Sequence, residues 1–518
     1  MTHFLNHRYF SSLLCFLSGC LCAVCMAPYN IWPVFIIGFA VLYYFIHQSK
    51  SYRGAFCYGW LWAFGYFLFS LYWVGNALLV DDNPYKWAWP LAVCGLPALL
   101  SFFNGLACLF AKRFMAMDRW HGYLGFVSIL SLSEFARGHL FTGFPWNLYG
   151  YSWIGWLDVA QIAALESIYF LTFLTLFWLS FLGFFMVCKA KADRFYIFVI
   201  IVISFACSLT FGHFALKQDV TFEETHIKIV QPNTKQSEKW QRDKMHGHFQ
   251  VALNLSQSGK VNAPQTLIIW PETTLSPAFF NAPYYRQSIS DMLGAHDNAV
   301  LMTGALRRES DQYFNSLVTL GPDDKILHIY NKSHLVPFGE YIPFQNYIPI
   351  PTVTQFSGFE KGGGPKSLSL FDSLAYSPLI CYEILFPGKA VPEGNQNDDN
   401  VDFIVNVTND AWYGTSPGPW QHLTKAQFRA IEEGKPVLRA ANTGVSAIID
   451  PYGRFVMHTN LFEAASLEHA LPAKSVYQAT YIPKILLFPL LPLAFVLFAL
   501  FRTTKMYFFQ KRNNIHKL

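Results

Sequence analysis

Eight long apolar segments limit what this chain can fold into more than any other feature of the sequence. They lie at roughly 9–27, 31–47, 55–79, 88–111, 122–140, 160–188, 195–212 and 484–501. A helix needs about 20 apolar residues to span the hydrocarbon core of a bilayer. The chain is only 14% charged, whereas an average soluble domain is about 25% charged. We therefore expect a membrane α-helical bundle of about eight transmembrane helices.

Loop charges predict the orientation of this bundle. Alternate loops are rich in basic residues, whereas the short loops between them carry only Lys86 and, at the end of a span, Arg137. The basic set is Arg8, Lys50, Arg53, Lys112, Arg113, Arg119, Lys189, Lys191, Arg194, Arg502, Lys505, Lys511, Arg512 and Lys517. Such loops stay in the cytoplasm, so we expect cytoplasmic termini and a polar block, residues 213–480, on the periplasmic side of an inner membrane. The net charge of +5 thus reflects the basic loops that set the membrane topology. No basic stripe in the sequence indicates a nucleic-acid partner.

Two charges interrupt the fifth apolar segment. Glu134 and Arg137 lie one helical turn apart, so we expect them to pair inside the bundle, as intramembrane charges usually do. Glu166 is a further acidic residue in the membrane part. The sequence leaves the functional roles of these three residues open.

The polar block has the size of one large domain or two small ones, and because no low-complexity linker divides it we expect one. Short runs rich in β-forming residues alternate with helical stretches, which favours an α/β domain with buried sheets. The runs lie at 226–232, 266–272, 299–305, 316–320, 325–332, 375–383, 401–410 and 445–451. The helical stretches lie at 236–257, 285–296 and 420–434, and Gly434 is placed to end the last one.

Cys381 is the only cysteine of the polar block, because the other nine lie in or beside apolar segments. A thiol without a disulfide partner in an oxidising compartment is a candidate nucleophile. The structural alternative is a small buried apolar side chain. Two further ionisable residues, Glu272 and Lys332, also follow apolar strands, at the position where sites assemble in α/β folds.

These three residue types form a chemically complete set. A thiol needs a base or a nearby positive charge. Glu272 can take the proton if burial raises its pKa, and Lys332 can stabilise an oxyanion. His334 is a weaker candidate for the base. For each residue taken alone, the alternative interpretation is an ordinary charged loop residue or a capping residue.

The motifs around these residues resemble a known family. WPE (270–272), NKSHLVPFGEYIP (331–343) and LICYE (379–383) resemble the Glu-Lys-Cys signature of the nitrilase, or carbon–nitrogen hydrolase, superfamily. The membrane layout narrows the resemblance to the apolipoprotein N-acyltransferase family. FTGFPW (141–146), VQPN (230–233), NDAWYG (409–414) and RAANTG (439–444) also resemble motifs of that family.

The resemblance implies both the fold and the site. It implies an α/β nitrilase-like αββα sandwich over 213–480, between a seven-helix domain at 1–212 and a final transmembrane helix with a basic cytoplasmic tail at 481–518. It makes Glu272 the general base, Lys332 the oxyanion stabiliser and Cys381 the nucleophile. Accessory or substrate-binding positions are Glu340, Tyr382, Glu383, Trp240 and Trp412. For the two tryptophans the alternative is anchoring at the membrane interface.

The implied reaction is a two-step acyl transfer. An acyl chain of a membrane phospholipid, expected to be phosphatidylethanolamine, passes to Cys381 as a thioester. The α-amine of the diacylglyceryl-cysteine of an apolipoprotein then takes it. No cofactor and no metal are expected, and the protein is expected to be a monomer.

Two other functions stay open on the sequence. A membrane-tethered amidase or nitrilase acting on a small C–N substrate would share the three residues but would not need seven spans. A transporter or receptor with a periplasmic sensory domain would keep its function in Cys381→Ala. It would also carry charges throughout its spans, and few are present.

Overall fold

The structure is a computed structural model in which the chain forms two compact units. It describes residues 8–80, 83–257, 263–342, 358–371, 373–392, 401–475 and 488–515. The first unit contains Met1–Gly75, Pro90–Lys217 and Tyr481–Leu518, and the second contains Asn76–Trp89 and Gln218–Thr480.

The first unit is helical, with a helix in each of the eight predicted apolar segments. The sixth segment divides into two helices, and residues 484–487 of the eighth lie outside the described part of the chain. The α-helices of seven residues or more are Arg8–Cys22, Val34–Gln48, Tyr52–Leu71, Trp89–Phe114, Trp120–His139, Ile168–Leu179, Phe181–Val187, Lys191–Leu216 and Leu490–Ile515.

Among the described residues, four helical segments are long and apolar enough to cross a membrane. They are Tyr52–Leu79, Lys86–Phe114, Ile168–Val187 and Lys191–Leu216, and two shorter apolar helical segments span Tyr9–Cys25 and Val34–Gln48. These helices are consistent with a membrane protein. The number of eight spans stays a prediction.

The expected pairing of Glu134 with Arg137 is confirmed. Both side chains are fully buried, with Arg137 Nη2 2.5 Å from Glu134 Oε2. Arg137 Nη1 also donates to the carbonyls of Phe144 (2.6 Å) and Trp146 (3.0 Å), and Asn104 donates to Glu134 Oε1. The ion pair therefore holds the segment 141–146, which carries the FTGFPW motif, against its helix.

The second unit contains two six-stranded sheets. The strands of the first sheet are β1 (Phe222–Gln231), β2 (Gln265–Leu275), β3 (Ala299–Glu309), β4 (Gln312–Leu320), β5 (Ile326–Asn331) and, from the end of the domain, β12 (Ala465–Pro472). The second sheet contains β6 (Leu368–Leu370), β7 (Leu374–Ile380), β8 (Phe403–Thr408), β9 (Val437–Ala441), β10 (Ala447–Ile449) and β11 (Phe455–His458). The strand orders are β12-β1-β2-β3-β4-β5 and β11-β10-β9-β8-β7-β6.

Both sheets have a parallel centre. The strands β1, β2 and β3 run parallel, as do β7, β8 and β9, whereas the outer strands pair antiparallel. The carboxyl ends of the parallel strands β2 and β7 carry Glu272 and Cys381. Cys381 thus directly follows its strand, as expected, whereas Glu272 lies within β2, near its carboxyl end.

Apolar side chains alternate between two layers. Ile227, Ile229, Leu267 and Ile269 face the second sheet in a core that contains its Tyr376, Ile380, Phe403 and Val405. Ile268 and Trp270 point the other way, onto Phe249, Ile289 and Leu293 of the helices Arg242–Gln257 and Pro283–Gly294. The helix Gly418–Glu433 packs on β9 and β10, and Gly434 ends it with a left-handed φ of 62°. The αββα sandwich is therefore confirmed.

The buried pair of the first unit yields a stability prediction. Replacing Glu134 with Gln leaves the buried guanidinium of Arg137 without its counter-charge, and breaking a buried ion pair typically costs about 3–5 kcal/mol. We expect Glu134→Gln to lower the thermal unfolding midpoint of the detergent-solubilised protein. Asp118→Asn, at an exposed position of the same unit, is the control and should leave the midpoint unchanged. Equal midpoints for the two variants would contradict the stabilising role of the pair.

Candidate active site

Glu272 lies in β2 with its carboxylate held by two donors. Its Oε1 accepts from Asn315 Nδ2 at 2.8 Å, and its Oε2 accepts from the main-chain N–H of Asn409 at 2.8 Å. The side chain is 8% exposed. Gly304 on the neighbouring β3 permits this position, because a Cβ there would lie 2.4 Å from the Cα of Glu272. The carboxylate is thus fixed in place from both sheets.

Lys332 follows β5 and lies between two carboxylates. Its ammonium is buried, 2.8 Å from Glu340 Oε1 and 3.6 Å from Glu272 Oε1. Burial alone would lower the pKa of Lys332, but the negative charges of Glu340 and Glu272 raise it well above its ordinary value. Lys332 therefore stays charged, which excludes it as the base and suits it to stabilise developing negative charge.

Glu340 lies beside Lys332. Its Oε1 also accepts from Asn315 Nδ2 at 3.2 Å, so Asn315 bridges the two carboxylates. Its Oε2 accepts from the main-chain N–H of Val336 at 2.8 Å. The side chain thereby orients the lysine that both carboxylates face.

Cys381 begins the turn that follows β7, in a conformation few residues adopt. Its φ is +52°, in the left-handed region that is uncommon for residues other than glycine. Burial, together with the charge of Glu272, raises the pKa of the Cys381 thiol, and Lys332 opposes this shift. The thiol is therefore protonated at rest, so nucleophilic attack requires a base to take its proton.

A buried charged network supports the main chain of Cys381. His422 Nε2 lies 3.2 Å from the Cys381 carbonyl oxygen, and His422 Nδ1 lies 2.8 Å from Asp410 Oδ1. Arg439 donates to Asp410 Oδ2 at 2.7 Å. Burial alone would raise the pKa of Asp410, but Arg439 and His422 lower it to about 2. This network anchors the turn Cys381–Leu385, here called the Cys381 turn, to the helix Gly418–Glu433 and to β9.

Glu383 connects the Cys381 turn to the segment that follows Lys332. Its Oε1 accepts from Tyr330 Oη (2.8 Å), Ser333 Oγ (2.6 Å) and the main-chain N–H groups of Ser333 (2.7 Å) and His334 (3.1 Å). Its Oε2 accepts from the Ile380 N–H at 2.7 Å. Burial raises the pKa of Glu383 although these donors oppose the shift. These contacts indicate that Glu383 positions the turn that begins at Cys381.

The aromatic candidates differ in their burial. Tyr382 is buried and packs on Phe386, with ring centroids 5.2 Å apart. The imidazole of His334 stacks on Phe386 at 3.8 Å, an arrangement that packs the ring and does not favour His334 as the base. Trp240 and Trp412 are half-buried. Substrate contacts of Tyr382, Trp240 and Trp412 stay predictions.

Sequence reasoning missed several polar residues of the site. They are Asn315, Lys239, Asn409, Asp410, His422 and Arg439. Asn315 is a polar residue in the otherwise apolar stretch YFNSL, which was an available signal. Asn409 and Asp410 lie within the quoted NDAWYG motif, yet nothing in the motif itself assigns them a contact.

Comparisons with known proteins cover most of the chain. Residues 18–181 match the family model of the apolipoprotein N-acyltransferase N-terminal domain, and residues 227–481 match that of carbon–nitrogen hydrolase. A protein of Rhodopseudomonas palustris named apolipoprotein N-acyltransferase is 34% identical over 488 residues, 89% of each chain. A protein of Rickettsia bellii with the same name is 32% identical, over 90% of this chain and 92% of its own.

A solved carbon–nitrogen hydrolase superfamily protein from Xanthomonas campestris also aligns. It is 19% identical, with a TM-score of 0.36, over 48% of this chain and 90% of its own. From the family models and the two relatives, the chain belongs to the apolipoprotein N-acyltransferase family.

The hydrogen bonds that Glu383 accepts predict the effect of replacing its carboxylate with an amide. Glu383→Gln replaces one acceptor oxygen with a donor that faces other donors, and a hydrogen bond to a charged group contributes about 1.5–3 kcal/mol. We expect a lower thermal midpoint and at least about a hundredfold loss of activity, because displacements near 1 Å have such effects. Glu360→Gln, at an exposed position, is the control. Wild-type activity in Glu383→Gln would show that these contacts do not position the turn.

Proposed function

We propose that this chain is an acyltransferase that carries out the N-acylation step of lipoprotein maturation. The acceptor is the N-terminal α-amine of the diacylglyceryl-cysteine of an apolipoprotein, and the donor is a membrane phospholipid. The observation that carries the proposal is the convergence of Glu272, Lys332 and Cys381 at one buried centre in a member of this family.

In the first step, Cys381 takes an acyl chain from the phospholipid. Glu272 accepts the thiol proton as the sulfur attacks the ester carbonyl. The charged ammonium of Lys332, with a main-chain N–H, stabilises the negative oxygen of the tetrahedral intermediate. The C–O bond of the ester breaks, the proton on Glu272 passes to the leaving alkoxide, and a lysophospholipid departs. The acyl group remains on Cys381 as a thioester.

In the second step, the α-amine of the lipoprotein attacks the thioester. Glu272, again ionised, takes a proton from the attacking nitrogen, and Lys332 stabilises the second tetrahedral intermediate. The C–S bond breaks, the sulfur leaves and recovers a proton from Glu272, and an amide forms. Over the whole cycle, one ester bond is broken, one amide bond is formed, and Glu272 and Cys381 return to their starting protonation states.

Burial of the centre favours transfer over hydrolysis. The side chains of Glu272 and Lys332 are 8% and 1% exposed, and Cys381 is 9% exposed. A thioester held at such a centre has little contact with water, and excluding water prevents side reactions of reactive intermediates. The ester donor also removes any need for an external energy source.

The membrane location follows from the same proposal. Both substrates are lipids, and moving an acyl chain into water costs about 0.8 kcal/mol for each exposed CH₂. The apolar helices of the first unit support an inner-membrane protein. The alternation of basic loops supports cytoplasmic termini and a periplasmic catalytic domain.

A labelled phospholipid tests the proposed function. The membrane-purified protein is incubated, without acceptor, with phosphatidylethanolamine that carries an isotope-labelled acyl chain, and peptides are analysed by mass spectrometry. We expect the acyl mass on the peptide that contains Cys381, its absence in Cys381→Ser, and its retention in Cys207→Ser, which changes an exposed cysteine. Hydrolysis of small amides by a protein that never carries the acyl mass would instead show an amidase.

A further inference from the structure

A second buried lysine lies beside the catalytic centre. Lys239 is 8% exposed. Its Nζ donates to the main-chain carbonyl of Glu272 at 3.1 Å and to Thr273 Oγ1 at 2.6 Å. Neither contact is explained by the three residues that the proposed mechanism uses. Buried lysines are rare and need a compensating partner, so the position of Lys239 calls for a reason.

The first reason is the geometry of the turn after Glu272. Thr273 has a φ of +50°, which is a true outlier for a β-branched residue and persists only where surrounding contacts hold it. Lys239 bonds to the carbonyl that directly precedes this strained position and to the side chain of Thr273 itself. It therefore fixes the direction in which β2 presents the Glu272 carboxylate.

The second reason is charge. Glu272 and Glu340 bring two negative charges to the centre, but Lys332 brings only one positive charge. Lys239 supplies the second, so that the four groups together are neutral. When the Cys381 proton moves to Glu272, the negative charge moves from the carboxylate to the sulfur and the neutrality is kept.

Several titratable groups surround Lys239. Glu272 and Cys381 interact with it electrostatically, His248 approaches from the helix Arg242–Gln257, and Glu238 precedes it on its own segment, paired with Lys244 at 3.3 Å. Burial lowers the pKa of Lys239 to about 8, against the raising effect of Glu272. The ammonium form therefore predominates at neutral pH.

A small cavity adjoins the same side chain. Its volume is about 40 Å³, and its lining includes Lys239, Trp240, Thr273, Ser276 and Asn442. An ammonium has three N–H donors; the contacts above use two of them, and Nζ also lies 5.7 Å from the centroid of the Trp240 ring. The cavity allows the charge to be hydrated while it stays beside the catalytic centre.

We propose that Lys239 is a positioning residue of this centre, which fixes the Glu272 turn and supplies the positive charge that keeps the centre neutral during proton transfer from Cys381. This inference rests on the proposed roles of Glu272 and Cys381. It adds Lys239 to the centre as a second cation beside Lys332.

The rate at which iodoacetamide alkylates Cys381, followed by peptide mass spectrometry across pH 6–10, tests this proposal. Lys239→Met removes both the charge and the hydrogen bonds. Lys239→Gln removes the charge but keeps a donor for the same acceptors, so it also serves if the Met variant does not fold. Loss of a positive charge disfavours the thiolate. We therefore expect about tenfold slower alkylation of both variants at pH 6–7, with a difference from the wild type that shrinks above about pH 8, where the Lys239 ammonium loses its proton.

Lys235→Met is the matched control, because Lys235 lies on the same segment with its side chain 78% exposed. It should follow the wild-type profile. A wild-type profile for Lys239→Gln would overturn the proposal, since a purely structural lysine has no reason to move the thiol titration. Alkylation needs no acyl donor, so this result stays separate from failure of the acyl-transfer proposal.

Discussion

The ammonium of Lys332 lies buried between the carboxylates of Glu272 and Glu340, and the rest of the catalytic domain is arranged around that contact. A buried charge is tolerated only when it is paired and hydrogen-bonded. Asn315 joins the two carboxylates to each other, and the main-chain N–H of Asn409 brings in a donor from the second sheet. Both sheets must therefore be in place before the centre is complete.

Cys381, the proposed nucleophile, is also held in place by buried groups that pair with one another. Cys381 adopts a left-handed φ, and its carbonyl lies within hydrogen-bond distance of His422. Asp410 and Arg439 complete that buried network, while Glu383 links the turn to the segment after Lys332. The centre can thus hold an unusual backbone conformation and a protonated thiol, as the proposed proton transfer to Glu272 requires.

The sequence predicted the parts that depend on local pattern. Apolar runs located the helices of the first unit and most central strands, and the polar residues after those strands located Glu272, Lys332 and Cys381. The strands β6, β9, β11 and β12 were not predicted. They are short or carry charges inside them, such as the buried Arg439 of β9. Contacts between residues far apart in the chain, such as Glu272 with Asn409 and Lys239 with Thr273, have no local signature. They become visible only once the sheets are paired.

Chasing the isolated acyl-enzyme with acceptor tests the central claim most directly. The protein labelled on Cys381 is separated from free phospholipid and mixed with a diacylglyceryl-cysteine peptide that has a free α-amine, and both the protein and the peptide are followed by mass spectrometry over time. The account predicts that the acyl mass leaves Cys381 and appears on the peptide nitrogen in equal amount. Loss of the acyl group as free fatty acid, with the peptide unchanged, would contradict it.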